Sequence, residues 1–309
     1  MTEMEIAELR QKRYNGTVAD LKRIHADLMV IRIKPDFARP PHSPGQYTTL
    51  GLGNWEPRVD GCQAEALKPE DLSKVVRRSY SISCSIESAP GMLVNIAETD
   101  YIEFYIVLVR ENLDGRVPAL TPRLFALKQG DRLNIGEKIT GHYTLDAVGP
   151  NDNVIFLGTG TGEAPHNYML WQLLARGHQG RIVSACCVRY RKDLGYLATH
   201  HDLMERYKNY RYLPLTTREA SGTKKVYIQD VITSGELEEA LGDKLDPART
   251  HVFLCGNPKM IGVPIRDKAA GTKTYPTPTG VIEILENRGF IADISAMKIK
   301  GNIHFEEYW

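Results

Sequence analysis

The chain has little that would tie it to a membrane, a metal or a nucleic acid. No apolar run among its 309 residues approaches the roughly 20 that a bilayer-spanning helix needs. Its 39 lysines and arginines against 38 acidic residues leave a net charge of +1, too small to recruit nucleic acid or an anionic membrane. Residues 1–13 mix acidic and basic side chains and lack the apolar core of a signal peptide, so the expected location is the cytoplasm. The five cysteines, Cys62, Cys84, Cys186, Cys187 and Cys255, form no C-x-x-C pair, and no histidines join them at zinc spacing. An odd count without framework spacing points to reduced thiols. It also excludes an iron–sulfur cluster, which takes about four cysteine ligands. No metal site is expected, and any electron carrier must be organic.

The most informative stretch begins with Val154, Ile155, Phe156 and Leu157, which run into Gly158-Thr159-Gly160-Thr161-Gly162-Glu163-Ala164-Pro165. A short apolar run bounded by glycine reads as a buried parallel strand. Residues 168–174 then carry helical apolar spacing and stop at Gly177, and Pro165 suits a first helical turn. Strand, Gly/Thr loop and helix N-terminus together suit an anion, because backbone N–H groups and the helix dipole meet there. The spacing is not the common G-x-G-x-x-G. A tight strand-to-helix turn with glycines for backbone reasons alone explains the same residues.

The two sides of this stretch differ in rhythm. Before it, short alternating strands (residues 16–33, 46–50, 78–83, 104–109 and 132–135) with one helical stretch near residues 122–127 read as an antiparallel barrel. Residues 51–77 read as an inserted excursion with a short helical possibility at 69–75. After it, strands at 182–188, 212–216 and 251–256 alternate with helices at 197–207, 228–241 and beyond Pro258. That alternation predicts a doubly wound parallel sheet. A loop at 271–278, a helix at 279–287 and a strand at 301–308 complete the chain. Two domains are expected, 1–148 and 149–309, with inserts at about 51–77 and 263–290 and a ligand crevice between the domains. Dinucleotides sit outside the carboxyl ends of such parallel strands, where the glycine breaks after Leu157 and Cys255 fall.

Three motifs in this order resemble those of the ferredoxin (or flavodoxin)–NADP reductases, bacterial branch. Arg78-Ser79-Tyr80-Ser81 is similar to the family's R-x-Y-S, and 158–165 to its G-T-G-T-G-x-A-P. Cys255-Gly256 is similar to its C-G, and the aromatic C-terminus fits the bacterial members. The match runs from about Tyr14 to Trp309, excluding two segments. The resemblance implies an FAD-binding antiparallel barrel followed by an NADP-binding α/β domain.

By that resemblance, Tyr80 stacks on the flavin, Arg78 pairs with the FAD pyrophosphate and Ser81 bonds near flavin N5. A guanidinium suits the phosphate role because it reads two oxygens at once. Thr121 corresponds to a second phosphate contact and is an N-cap by residue type. Gly158, Thr159, Gly160, Thr161, Gly162 and Gly256 fall to NADP. Arg189, Arg218 and Lys224 or Lys225 stand where the family holds the 2′-phosphate, while Glu219 keeps NAD as a minor reading. Cys255 would lie against the nicotinamide, and Glu306 would assist proton and electron delivery. Tyr308 and Trp309 would pack on FAD, on the flavin or on the adenosine.

The implied reaction carries hydride from NADPH to flavin N5 and then single electrons to ferredoxin or flavodoxin, a separate protein. A monomer or weak dimer is expected. Those partners are acidic, so a basic surface is expected at Lys68, Lys74 and Arg77, or at Lys298 and Lys300. A reductase component of an oxygenase and a non-catalytic NADP-sensing module are the alternatives. One departure stands out: Glu163 fills the variable slot of the glycine motif. Its negative charge beside a phosphate loop is tolerable if the side chain points to solvent.

Overall fold

The structure, a computed structural model, describes residues 1–112, 115–219, 225–267, 272–294 and 300–308. Contacts divide the chain into two units, residues 1–84 with 95–142 and residues 85–94 with 143–309.

The first unit opens with α1 (Glu3–Arg13), started by a capping box between Thr2 and Glu5. β1 (Gly16–His25) and β2 (Leu28–Pro35) form a hairpin, followed by β3 (Tyr47–Gly53) and β4 (Val75–Ser81), also antiparallel. The small hairpin β5 (Glu87–Ala89) and β6 (Met92–Leu93) belongs to the second unit. β7 (Ile102–Val107), α2 (Thr121–Leu124) and β8 (Arg132–Ile135) complete the first. Its strands run in the order β4-β3-β8-β1-β2-β7. The Ser83 N–H donates to the Glu103 carbonyl at 2.8 Å, tying the chain just past β4 to β7. The sheet thereby closes on itself, which removes the exposed edges an open sheet would leave. Met29, Ile31, Ile33, Leu50, Leu52, Phe104 and Leu133 fill its interior.

The excursion at 51–77 is fixed by charge. Arg123 on α2 is only 2% exposed, and its guanidinium meets Glu65 at 2.5 Å, the Asn54 carbonyl at 3.0 Å and the Ala119 carbonyl at 2.5 Å. Glu56 of the same segment gathers Arg10, the Tyr14 hydroxyl and the Trp55 indole N–H on its carboxylate. The helical possibility at 69–75 shrinks to one 3-10 turn, Pro69–Asp71.

The second unit alternates strand and helix: β9 (Asn153–Thr159), α3 (Glu163–Ala175), β10 (Ile182–Val188), α4 (Leu197–Arg206) and β11 (Tyr210–Thr216). α5 (Ile228–Ser234), α6 (Glu236–Leu241), β12 (Thr250–Gly256) and α7 (Pro258–Ile261) follow. The helix expected over 228–241 is two, because Gly235 between them sits at φ 87°, outside the helical region. β13 (Ile265–Asp267) and β14 (Thr272–Thr274) pair antiparallel, so part of the expected 271–278 loop is strand. α8 (Val281–Glu286) and β15 (Ile303–Glu307) close the unit. The sheet is parallel throughout, ordered β11-β10-β9-β12-β15. Both faces are covered, and its central strands are apolar along their length as that burial requires.

Removing Glu65 leaves the Arg123 guanidinium in the core without its counter-charge. Glu65→Ala is expected to cost about 3–5 kcal/mol of unfolding free energy. A urea titration giving a loss below about 1 kcal/mol would show that water compensates the arginine.

Candidate functional site

In the second unit, the carboxyl ends of β9 and β12 interlock. A Cβ added at Gly162 would stand 2.3 Å from the Cys255 carbonyl oxygen, so only glycine lets the loop cross there. Thr159 reaches the other way: its hydroxyl oxygen accepts the Asn257 N–H at 2.7 Å. Its side chain is thus spent on joining the two strand ends. Gly160 differs. It is exposed at φ 54°, and a Cβ there would meet nothing within 4 Å. The loop therefore presents bare backbone to open space at Gly160, in front of the 13-residue helix α3. That is a cradle with the form and polarity an oxyanion takes.

The continuations of β10 and β11 carry the cations. The Arg218 N–H donates to the Arg189 carbonyl at 2.8 Å, which sets the two exposed arginines side by side along adjacent strands. Arg191 and Lys192, which the motif comparison passed over, follow in the next turn, and Lys225 is exposed nearby in sequence. Glu219 accepts the Arg191 backbone N–H, so its carboxylate is engaged in holding this turn. Lys224 lies outside the described residues, as do Trp309 and Lys298.

Cys255, Glu306 and Tyr308 come together because β12 pairs with β15. Cys255 lies opposite Glu306, and the Tyr308 N–H donates to the Gly256 carbonyl at 2.8 Å. Burial first, then the Glu306 charge, pushes the Cys255 thiol well up, against a hydrogen bond with Tyr308. It is a neutral S–H, suited to packing against a ring rather than to nucleophilic attack. Two residues that no motif flagged stand behind it. The Tyr143 hydroxyl lies 2.7 Å from His166 Nε2, and burial first, then the nearby Glu306 carboxylate, pushes that hydroxyl well up.

Glu163 does not point to solvent. Its side chain is 4% exposed and turns into the core, away from solvent. One carboxylate oxygen accepts the Tyr212 hydroxyl at 2.7 Å and lies 3.1 Å from His200 Nε2. Buried polar partners from α4 and β11 supply what the surface would otherwise have supplied. A histidine in a helix and two tyrosines in a strand carry no spacing signal that would have announced this.

In the first unit, β4 places Arg78 and Tyr80 on one face. Arg78 is exposed, while Tyr80 is half-buried with its ring edge-on to Phe104 at 6.5 Å. Burial pushes the Tyr80 hydroxyl up, with Arg78 opposing. Ser81 is buried at the strand end. Thr121 is the first helical residue of α2 rather than its N-cap, which is Leu120. Its hydroxyl oxygen accepts the Val109 N–H at 3.1 Å and so joins α2 to the chain after β7. Of the basic side chains at the excursion, Lys74 pairs with Asp71 at 2.7 Å and Arg77 bonds Asn134 at 2.7 Å, which tempers the expected patch. Among the described residues no cluster of three or more histidine, cysteine, aspartate or glutamate side chains is arranged to hold a metal ion.

Comparison with known proteins agrees with this geometry. Residues 156–263 match the oxidoreductase NAD-binding domain family. A flavodoxin/ferredoxin–NADP reductase of Shigella flexneri is 33% identical over 223 residues, covering 72% of this chain and 76% of that protein. Its counterpart in Escherichia coli K12 is 32% identical with the same coverage. Among solved structures, a ferredoxin–NADP+ reductase from Neisseria gonorrhoeae with bound FAD and NADP superposes with a TM-score of 0.66 at 20% identity. That match covers 95% of this chain and 97% of that one, and it carries the same fold.

His166 gives the second unit an acid signature. Burial holds its imidazole pKa down to about 3, against an ordinary value of 6.5, so the folded state keeps it neutral while the unfolded chain takes up a proton. The contribution is complete above pH 6.5 and is lost as pH falls toward about 3. The full loss is on the order of 5 kcal/mol. His166→Gln is expected to lower stability at neutral pH yet flatten its decline with acid. Parallel urea titrations across that window check this, and an unchanged acid slope would refute it.

Proposed function

The chain belongs to the flavodoxin/ferredoxin–NADP reductase family, and on that footing we infer how its own residues divide the work. It is a flavoprotein oxidoreductase passing electrons between NADP(H) and a ferredoxin or flavodoxin through FAD. When bound, FAD exchanges electrons in pairs with the nicotinamide and singly with the protein partner.

Residues on the first unit fit that group. Arg78 offers an exposed guanidinium for the FAD pyrophosphate, and Tyr80, two residues on, offers a ring face at the same surface. Ser81 closes the strand beside them, and Thr121 holds α2 against the chain beyond β7 so that the backbone there is fixed. In the second unit, the open backbone at Gly160 fits the NADP(H) pyrophosphate, with Gly158, Thr161 and Gly162 shaping the turn. Gly256 and Thr159 keep the neighbouring strand end close. Arg189 and Arg218, with Lys225, fit the 2′-phosphate, a group that calls for cations where NAD would call for a carboxylate on its ribose. Glu219 does not serve that second purpose while it caps the Arg191 N–H. Cys255 supplies a neutral, buried wall for the nicotinamide, with Glu306 and Tyr308 adjacent.

The observation that carries this reading is the convergence at one end of the parallel sheet. An open glycine backbone, two adjacent arginines and a buried thiol all stand at strand carboxyl ends. The acceptor is a separate acidic electron-transfer protein, and the reductase acts as a monomer or weak dimer.

The purified protein is expected to be yellow and to bleach rapidly with NADPH under anaerobic conditions, slowly with NADH. A colourless chain that takes up no FAD would overturn the roles given to Arg78 and Tyr80. Replacing Arg189 and Arg218 together by alanine is expected to raise KM for NADPH by roughly ten- to hundredfold while sparing NADH. An equal rise for both nucleotides would remove the 2′-phosphate role.

A further inference from the structure

Glu163 stands in the first turn of a helix whose N-terminus is offered to an anion, yet it is itself an acid. Its backbone N–H donates to the Gly160 and Thr161 carbonyls, so the side chain departs from the loop itself. Groups from three elements surround the carboxylate. His200 comes from α4, Tyr210 and Tyr212 from β11, and Cys186 from β10. The Cys186 thiol also donates to the Gly160 carbonyl at 3.8 Å, which seats this cluster directly under the loop.

His200 is held at both ring nitrogens. The Tyr210 hydroxyl lies 2.8 Å from His200 Nδ1, and Ser184 hydrogen-bonds Tyr210. A chain of contacts thus runs from Ser184 through Tyr210 and the His200 ring to one oxygen of Glu163. Tyr212 adds a second donor. Among the described residues neither lysine nor arginine pairs with Glu163. Its second oxygen is buried with no hydrogen-bond partner. Burial and the Glu163 charge together push the Cys186 thiol well up. A carboxylate here draws on the same positive helix end that a pyrophosphate would use.

We propose that Glu163 is an internal anion at the N-terminus of α3 that sets the affinity of the Gly158–Gly162 loop for the NADP(H) pyrophosphate below what the loop alone would give. The inference rests on the reading of that loop as the pyrophosphate site. Its effect is a weaker hold on the nucleotide and easier release after turnover. Because the charge is buried and fixed, salt screens it little.

The test uses the FAD-loaded full chain and calorimetric titration with NADP+ and with 2′-AMP, which keeps the 2′-phosphate and lacks the pyrophosphate. Glu163→Gln keeps an acceptor for Tyr212 and His200 and removes the charge. It is expected to bind NADP+ about three- to tenfold more tightly, with 2′-AMP unchanged. Glu163→Asp, which keeps the charge and disturbs the packing, is expected to give no tightening. Gly160→Val puts a side chain into the open space and strains the loop at its φ of 54°, so it is expected to abolish NADP+ binding and spare 2′-AMP. If Glu163→Gln leaves NADP+ affinity unchanged or lowers it while Gly160→Val abolishes it, the proposal fails and the loop reading stands. Tightening of 2′-AMP along with NADP+ would also refute it. If Gly160→Val binds NADP+ as the parent does, the loop reading itself fails.

Discussion

The nucleotide-binding unit depends on one contact, the passage of the Gly162 backbone against the Cys255 carbonyl. β9 and β12 are neighbours in the sheet, and each must turn sharply at its carboxyl end into a helix. Two such turns side by side leave no room for a side chain between them. Thr159 reinforces the contact by accepting the Asn257 N–H across the gap. With the two ends locked, the glycine loop and the cysteine that follows from the next strand keep a fixed spacing, and chemistry between a phosphate and a ring can be held to it.

Much of this was legible because the relevant signals are local. Four apolar residues followed by a glycine-rich turn is a strand entering a helix whatever surrounds it, and β9 and α3 lie where that pattern puts them. The alternation of strand and helix after residue 150 likewise reads directly as a parallel sheet. What escaped is tertiary. Residues 85–94 join the second unit although the chain around them belongs to the first, and nothing in a ten-residue window reports such a detour. The break at Gly235 was available in principle, since a glycine after Ser234 interrupts an otherwise continuous helical stripe.

The candidate site divides the same way. Arg78, Tyr80, Arg189, Arg218 and Cys255 were singled out by motif, because each belongs to a short sequence with a backbone role. Tyr143, His166, His200 and Tyr212 were not, because they act at a distance in sequence and become partners only once strands and helices pack. Glu163 shows the limit most clearly. Local reasoning sends an acid beside a phosphate loop outward, whereas His200 from α4 and Tyr212 from β11 hold one of its oxygens inward.

The excursion at 51–77 looks in sequence like an appendage, and Arg123 alters its status. A buried guanidinium takes its carboxylate and one of its carbonyls from that segment, so the barrel core is incomplete without it. Shortening the segment to graft this barrel onto another reductase therefore cannot be done by excision alone. The arginine would have to be exchanged for an apolar residue in the same step, and the two changes form a single unit of inheritance.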